Sequence, residues 1–485
     1  MKRLFMLATV ICFTVLAIKA QNDMDAFRFS QSNWSGTARF MGAGGAFGAV
    51  GAEYSALNIN PASIGVYKKS EVTFTPVVVS MFSTKSAYNG ENSRFLAQNY
   101  SINNFGAVFK ISNKKSESKW NAVQLALGYN RIHDFNGGFK IEGRSQGSSM
   151  IDAFVESANG KKYTGLRGVE GFLFDLYIID TLTGHNNQYY SLMPKGNFEQ
   201  HKKVTTQGAI DEMNFSVGAN YDDKFYIGAT MGVPVLNYKE SSSYKESDID
   251  DEISGYEYFT VTDNLSVKGT GINLKLGIIY QPVNFFRMGV AFHTPTYYAN
   301  LKDRYEVSST FKDDDRRTSY YPGKEKEINY YQYKLRTPMR LVGSVAFIIQ
   351  KRAFISVDYE FANYGGAFMY ADDYSFSKEN ENIQDKYGAC HAIRVGAEVL
   401  LTDNFLIRAG YNYTSNAFKS TVENNSVAHL VSAGIGFRTK SFFCDFAYNV
   451  RFSNENYWLY NPLLVSVAEG NVLTHRVAAT VGFKF

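Results

Sequence analysis

From about residue 70 onward the chain repeats one device: a stretch in which apolar and polar side chains alternate, closed by a turn or a polar loop. The alternating stretches fall near 70–82, 103–112, 120–131, 211–221, 224–237, 267–281, 284–296, 335–350, 352–362, 391–402, 404–415, 427–439, 441–452 and 473–485. Period two gives each an oily face and a wet face, and about 9 to 11 tilted residues suffice to cross a bilayer. In the clearest, Met213, Phe215, Val217, Ala219 and Tyr221 share one face, while Asn214, Ser216, Gly218 and Asn220 share the other. Fourteen such stretches, an even number, predict an all-β fold: a 14-stranded antiparallel transmembrane β-barrel over residues 70–485.

The connections alternate between short and long. Asn113 to Lys119, Asp222-Asp223, Pro282-Val283, the Lys351 region, Asp403 and Lys440 read as tight periplasmic turns. Long polar stretches near 132–210, 238–266, 297–334 and 363–390 read as outer loops. On that assignment both the mature N-terminal region and Phe485 lie on the periplasmic side. Facing also sorts the charges. If Ile393, Val395, Ala397 and Val399 meet lipid, Arg394 and Glu398 point into the lumen, and the same parity sends Arg287, Arg340, Asp358, Glu360, Arg408, Arg438, Asp445 and Arg476 inward. A lipid-facing Arg or Lys near the midplane costs about 2–4 kcal/mol, so inward placement is expected of a real barrel. These residues read as an ion-pair network. The functional alternative is that Arg340, Arg394, Arg408 or Arg438 meets the anionic head of a ligand.

Composition supports export and membrane insertion. Lys2 and Arg3 precede an apolar run to Ile18, ending at Ala20, which predicts a signal peptide over residues 1–20. Cys12 lies inside that run; Cys390 and Cys444 lack a C-x-x-C spacing and are expected as free thiols, so neither zinc nor a disulfide framework is indicated. The chain carries 50 basic and 46 acidic residues; without Lys2, Arg3 and Lys19 the balance is 47 to 46, which does not indicate nucleic acid. Aromatic content of 15%, with 34 Tyr and 38 Phe, suits side chains anchored at two lipid interfaces.

Residues 21–69 do not alternate and are rich in Gly, Ala and Asn, so they read as an irregular plug. Their core text runs from Gly36 through Ala38-Arg39-Phe40-Met41-Gly42-Ala43-Gly44-Gly45-Ala46-Phe47-Gly48, followed by Ser55-Ala56-Leu57 and Asn60-Pro61-Ala62. The G-x-G-x-x-G pattern fails, because Phe47 occupies its last position, and no Gly-Lys-Ser/Thr follows.

In these motifs the segment resembles the long-chain fatty-acid transporter (FadL/TodX) family of outer-membrane proteins, which is similar also in having fourteen strands and an N-terminal hatch in the lumen. The resemblance implies a non-enzymatic, cofactor-free channel for passive uptake of hydrophobic small molecules across the bacterial outer membrane. Outer loops capture the ligand, the hatch gates it, and it leaves sideways through the barrel wall. Asn60, Pro61 and Ala62 would then sit in the hatch near the exit; the competing reading is a fixed turn without ligand contact. Phe40, Met41, Phe47, Val50, Tyr54, Leu57 and Ile59 are candidates to line an apolar pocket, or simply to pack the hatch against the wall. Pro76 and Pro234 are candidates for interrupting the ladder at a lateral gap.

Expected partners are the hydrophobic ligand, outer-membrane lipid and lipopolysaccharide, and the barrel-assembly machinery through Phe485, with the protein a monomer. Three rival readings remain. Haem could replace the fatty acid, with His185 and His201 in the largest loop. A structural or adhesive barrel would suit tyrosine-rich loops. A hydrolase would need His133-Asp134 joined to a nucleophile, and no G-x-S-x-G elbow is present. The acidic runs Asp248 to Glu252 and Asp313 to Asp315 miss the EF-hand pattern and read as solvated loop faces, with weak calcium binding as the alternative.

Overall fold

The computed structural model describes residues 22–32, 35–112, 118–145, 147–193, 195–251, 253–315, 317–323 and 328–485. The expected signal peptide, with Cys12, and most of the turn at 113–119 lie outside the described residues. Fourteen strands form one antiparallel cycle. They are β1 (Glu71–Tyr88), β2 (Glu91–Ser101, resuming as Asn104–Ser112), β3 (Trp120–Asp134, resuming as Gly137–Arg144), β4 (Glu199–Tyr221), β5 (Phe225–Ser247) and β6 (Tyr258–Val283). There follow β7 (Phe286–His293, resuming as Tyr297–Lys312), β8 (Ile328–Arg336, resuming as Arg340–Ile349), β9 (Ala353–Asn363), β10 (Ala389–Leu400), β11 (Phe405–Thr414), β12 (Ala428–Arg438), β13 (Phe442–Tyr457) and β14 (Ala468–Lys484). The ladder between β14 and β1, from Glu71 opposite Lys484 to Ala87 opposite Glu469, closes the cylinder. Among the described residues no helix is long and apolar enough to cross a membrane.

The fold matches the alternation because the wall has only two environments. Met213, Phe215 and Val217 project from its outer face, while Arg394, Glu398, Arg408 and Asp358 are buried on the inner one. Tight turns form where two successive residues adopt positive φ: Asp222 and Asp223 at 55° and 51°, Gln350 and Lys351 at 49° and 59°. Such paired left-handed residues match the right-handed twist of a hairpin.

Two expectations are corrected. Much of what reads as long polar loop is strand: β4, β5 and β6 extend to 23, 23 and 26 residues, well beyond a bilayer's thickness. Stretches such as Tyr238 to Ser247 carry polar groups on both faces, because above the lipid both faces meet water or other loops. The stretch between 82 and 103 is likewise a hairpin, turning at Asn89 and Gly90, both with positive φ. The N-terminal region is also not confined to the tight-turn end. Helix α1 (Asp23–Ser30) lies at the long-loop end, where Asp23 pairs with Lys386 of the loop helix Ser377–Lys386 at 3.0 Å. Phe485, by contrast, is at the tight-turn end, its N–H donating to Ser70.

Between these ends the chain descends through the bore. Helix α2 (Ala38–Gly42) and the 3₁₀ turns Ser55–Asn58 and Pro61–Val66 are almost wholly buried. They meet the inner wall on all sides. The Tyr54 ring lies on Gly106 and Gly128, the Pro61 carbonyl on Gly228, the Gly48 carbonyl near Gly289, the Ala43 carbonyl on Gly396, and Gly42 on Gly434. Glycine on the wall makes this possible: a Cβ at Gly277 would fall 1.9 Å from Asn60 Oδ1.

Candidate functional site

The lumen holds two adjoining cavities above the packed N-terminal segment. The larger, about 70 Å³, is lined by Ser32, Arg340, Glu360, Arg394, Asn412, Arg451 and Arg476, with Tyr364 and Cys390 on its apolar side. The smaller, about 50 Å³, shares Arg451 and Arg476 and reaches Ala97, Gln98 and Asn99 of β2 and Asp134 and Asn136 of β3. The two arginines stand where the cavities meet.

The electrostatics of this chamber are one-sided. Glu360 bridges Arg340, at 2.6 Å, and Arg394, so one carboxylate serves two guanidinium groups. The guanidinium groups of Arg451 and Arg476 make no hydrogen bond or ion pair to any described residue; the opposite charges that act on them from a distance are Glu455 and Asp134. Cations held in a partly dry cavity without a partner attract an anion strongly.

The smaller cavity ends at a break in the wall. The outer half of β2, Glu91–Ser101, ladders with β1 through 11 pairs, but among the described residues it has no ladder to β3. β3 kinks at Phe135 and Asn136 and resumes as Gly137–Arg144, paired to β4. Gly138, at φ 152°, lets the chain approach closely: a Cβ there would lie 2.2 Å from the Val204 carbonyl and 2.8 Å from the Phe95 ring. Side chains hold the seam instead of a ladder, with Thr84 Oγ1 donating to the Gly138 carbonyl (2.7 Å), the Glu142 N–H to Ser93 Oγ (3.0 Å) and Asn89 Nδ2 to the Arg144 carbonyl (2.9 Å). Pro76 and Pro234 mark smaller irregularities. Pro76 lies within the register shift between Phe74 and Val77 opposite β14, and Pro234 beside a discontinuity between Thr270 and Asn273 of β6.

Helix α1 covers the chamber from above with aromatic contacts. Phe27 stacks on Tyr387 (centroids 4.7 Å apart) and meets Tyr364 and Phe418 edgewise or tilted at 5.1 and 5.3 Å. Phe29 packs against Tyr238 at 5.6 Å and Phe135 at 6.0 Å.

The structure disperses the candidates singled out in the sequence. Arg340 and Arg394 line the larger cavity. Arg408 and Arg438 lie lower, where Arg408 pairs with Glu398 (2.6 Å) and Asp445 (2.8 Å) and Arg438 stands 4.0 Å from Glu398. Arg39 joins this lower network through Glu398 at 2.8 Å. Phe40, Phe47, Val50 and Ile59 pack in one cluster, Tyr54 and Leu57 in a second and Met41 in a third; none of the seven borders the two cavities. Asn60 accepts from the Ala62 N–H (3.0 Å), capping the turn that Pro61 starts, and donates to the Gly48 and Ile278 carbonyls (2.8 and 3.2 Å). That sets Asn60, Pro61 and Ala62 against β5 and β6 rather than at the β2–β3 break. His201 faces Glu142 at 3.1 Å, and His133 packs on Phe135, with ring centroids 4.6 Å apart. The acidic loops face arginines, Asp250 to Arg144 at 2.7 Å and Asp313 to Arg317 at 2.9 Å. Phe27, Phe29 and Arg451 were not singled out. Arg451 carries a readable signal, an inward Arg in an alternating strand, but its lack of a partner does not show in one dimension.

Solved structures resemble the whole chain. A Pseudomonas aeruginosa FadL homologue aligns over 94% of this chain and 100% of its own, at 14% identity and a TM-score of 0.55. The Pseudomonas putida toluene transporter TodX aligns over 93% and 98%, at 10% identity and a TM-score of 0.52. The chain has the FadL-type barrel fold. No family model and no curated protein matches it.

Proposed function

We propose that the protein is an outer-membrane channel for passive uptake of hydrophobic small molecules that carry an anionic head, such as long-chain fatty acids, without chemistry on the cargo. The observation that carries this reading is the pair Arg451 and Arg476, unpartnered and shared by two cavities, the second of which ends at the unladdered stretch between β2 and β3. The head would exchange water for two guanidinium groups, while each buried CH2 of the tail contributes about 0.8 kcal/mol.

The described state is closed. On the scale where one water needs about 10–15 Å³, cavities of about 70 and 50 Å³ take a handful of waters each and are too small for a long acyl chain. Passage therefore requires movement above the packed turns. Helix α1 is the element that can yield, since Phe27 and Phe29 occupy aromatic contacts that an apolar ligand could replace. The ligand would then pass the two arginines and leave through the side-chain-bridged seam.

The neutral-hydrocarbon alternative follows from the likeness to a toluene transporter, and the arginines separate the two. In the Arg451→Gln, Arg476→Gln double variant, fatty acid recovered from gently purified protein should fall about tenfold, with retention of a neutral aromatic probe unchanged. Equal retention of the acid by both proteins would contradict the reading.

A further inference from the structure

Three tyrosine–histidine pairs repeat around the outer wall. Tyr359 Oη lies 2.7 Å from His391 Nδ1, Tyr411 Oη 2.8 Å from His429 Nδ1, and Tyr448 Oη 2.7 Å from His475 Nδ1. Each tyrosine is the seventh residue of its strand, counted from Ala353, Phe405 or Phe442, and each histidine the tenth from its strand's end at Leu400, Arg438 or Lys484. The register makes every pair diagonal: the tyrosines stand opposite Ile393, Val431 and Val477, two residues beyond each histidine.

The common spacing sets a common height. Nine steps of about 3.3 Å along a strand tilted by about 40° rise roughly 23 Å, the outer edge of an apolar band about 25 Å tall. Below the histidines the same faces carry Ile393 and Val395, Val431 and Ile435, and Val477, all exposed. The pairs therefore line the boundary between acyl chains and headgroups along β9 to β14, with roughly 10 Å between neighbours two strands apart.

Their chemistry is that of a donor. A phenol donating to a neutral imidazole at Nδ1 leaves the proton on Nε2; a protonated imidazole donates Nδ1–H to the phenol oxygen and keeps the same Nε2–H. In both of these states an N–H remains for a partner outside the protein; the Nδ1–H tautomer alone would leave Nε2 an acceptor. Next around the wall, Met81 sits opposite His475, and four residues outward Lys85 and Arg94 stand directly opposite each other, both exposed. Like charges so placed destabilise a sheet unless an anion intervenes. Arg94 reaches Ser83 Oγ at 3.4 Å, and Glu469, opposite Ala87, forms no ion pair with either cation among the described residues.

We infer that the face from β9 round to β2 binds the net-anionic, phosphate-bearing headgroups of outer-leaflet lipid. Phosphate oxygens accept from the imidazole Nε2–H groups and lie between Lys85 and Arg94, while the acyl chains follow the valine and isoleucine rows below. The inference rests on the membrane-channel reading only for the orientation of the barrel.

Native mass spectrometry of the full protein, titrated with phosphatidylglycerol or phosphatidylcholine of equal chain length, tests it. The wild type should hold phosphatidylglycerol about fivefold better. That preference should disappear in Lys85→Gln, Arg94→Gln, while His391→Phe, His429→Phe, His475→Phe should weaken the binding of both lipids, and inorganic phosphate should not compete. Equal binding of both lipids by the wild type overturns the inference, as does a preference that survives in the lysine–arginine variant, undiminished lipid binding by the histidine variant, or full competition by phosphate, which would mark a free-anion site. The lysine–arginine variant alters only exposed groups and keeps the test decisive if the histidine variant fails to assemble. Fatty-acid retention measured alongside separates the two proposals, because loss of lipid preference with normal retention breaks this one alone.

Discussion

The two halves of the luminal segment are held in different ways. Residues 35–66 are fitted backbone to backbone against the wall, with glycines on one or both sides of most contacts and polar groups such as Asn60 tied to the wall strands. Residues 22–32 are held by aromatic rings and a few charged groups, next to the only two arginines of the chamber that lack a described partner. The first arrangement resists displacement because moving it breaks many close contacts at once. The second is of the kind a ligand can imitate. On the proposed channel reading this contrast would make the lower half the stopper and the upper half the movable part, the reverse of what the Asn60-Pro61-Ala62 motif suggests when read alone.

Removing the aromatic hold is the strongest way to break that contrast. Phe27→Ala with Phe29→Ala should cost about 3–5 kcal/mol for each ring lost, if the pocket cannot collapse, and expose α1 to limited proteolysis while residues 35–66 stay protected. Equal protection of both halves would erase the distinction. Next is Gly277→Val, which drives a side chain into Asn60 and should destabilise the lower half by about 1–3 kcal/mol in thermal unfolding, without freeing α1.

A smaller effect comes from pH. Burial pushes the Asp25 carboxyl up to about 6, against lowering by Arg28, and the Glu53 carboxyl up to about 7, against lowering by Thr37 and Arg39. In the window from their ordinary values near 4 up to 6 or 7, the docked segment binds more protons than the released one. Docking is therefore favoured in acid and weakens as pH rises through that window. Hydrogen exchange of residues 22–66 should quicken between pH 5 and pH 8 beyond its intrinsic pH dependence, and Glu53→Gln should remove the Glu53 share; a slope of the opposite sign would refute the assignment.

The same physics explains what could be read from the chain. Within the lipid band one face must be apolar, so alternation and the inward parity of Arg394, Glu398, Arg408 and Asp445 were legible. Above the band that constraint lapses, and β4 to β6 run on unseen. The β1–β2 hairpin was nonetheless signalled by Asn89-Gly90. So was the start of α1, where Asn22 and Asp25 form a reciprocal capping box. The kink in β3 was not legible as an opening: Gly137-Gly138 hints at close approach, but only the register shows that β2 loses its neighbour there. Pairing of charges was equally hidden, which is why Arg408 and Arg438 looked equivalent to Arg340.

The most direct measurement addresses the seam itself. Gln98 of β2 and Asn136 of β3 border the same small cavity across the break. In a Cys390→Ala, Cys444→Ala background, Gln98→Cys with Asn136→Cys can be joined by a reversible, short bifunctional thiol reagent. If cargo leaves through this seam, fatty-acid uptake by cells should stop on cross-linking and return on reduction, with either single cysteine unaffected. Undiminished uptake through a fully cross-linked barrel would contradict lateral release between β2 and β3.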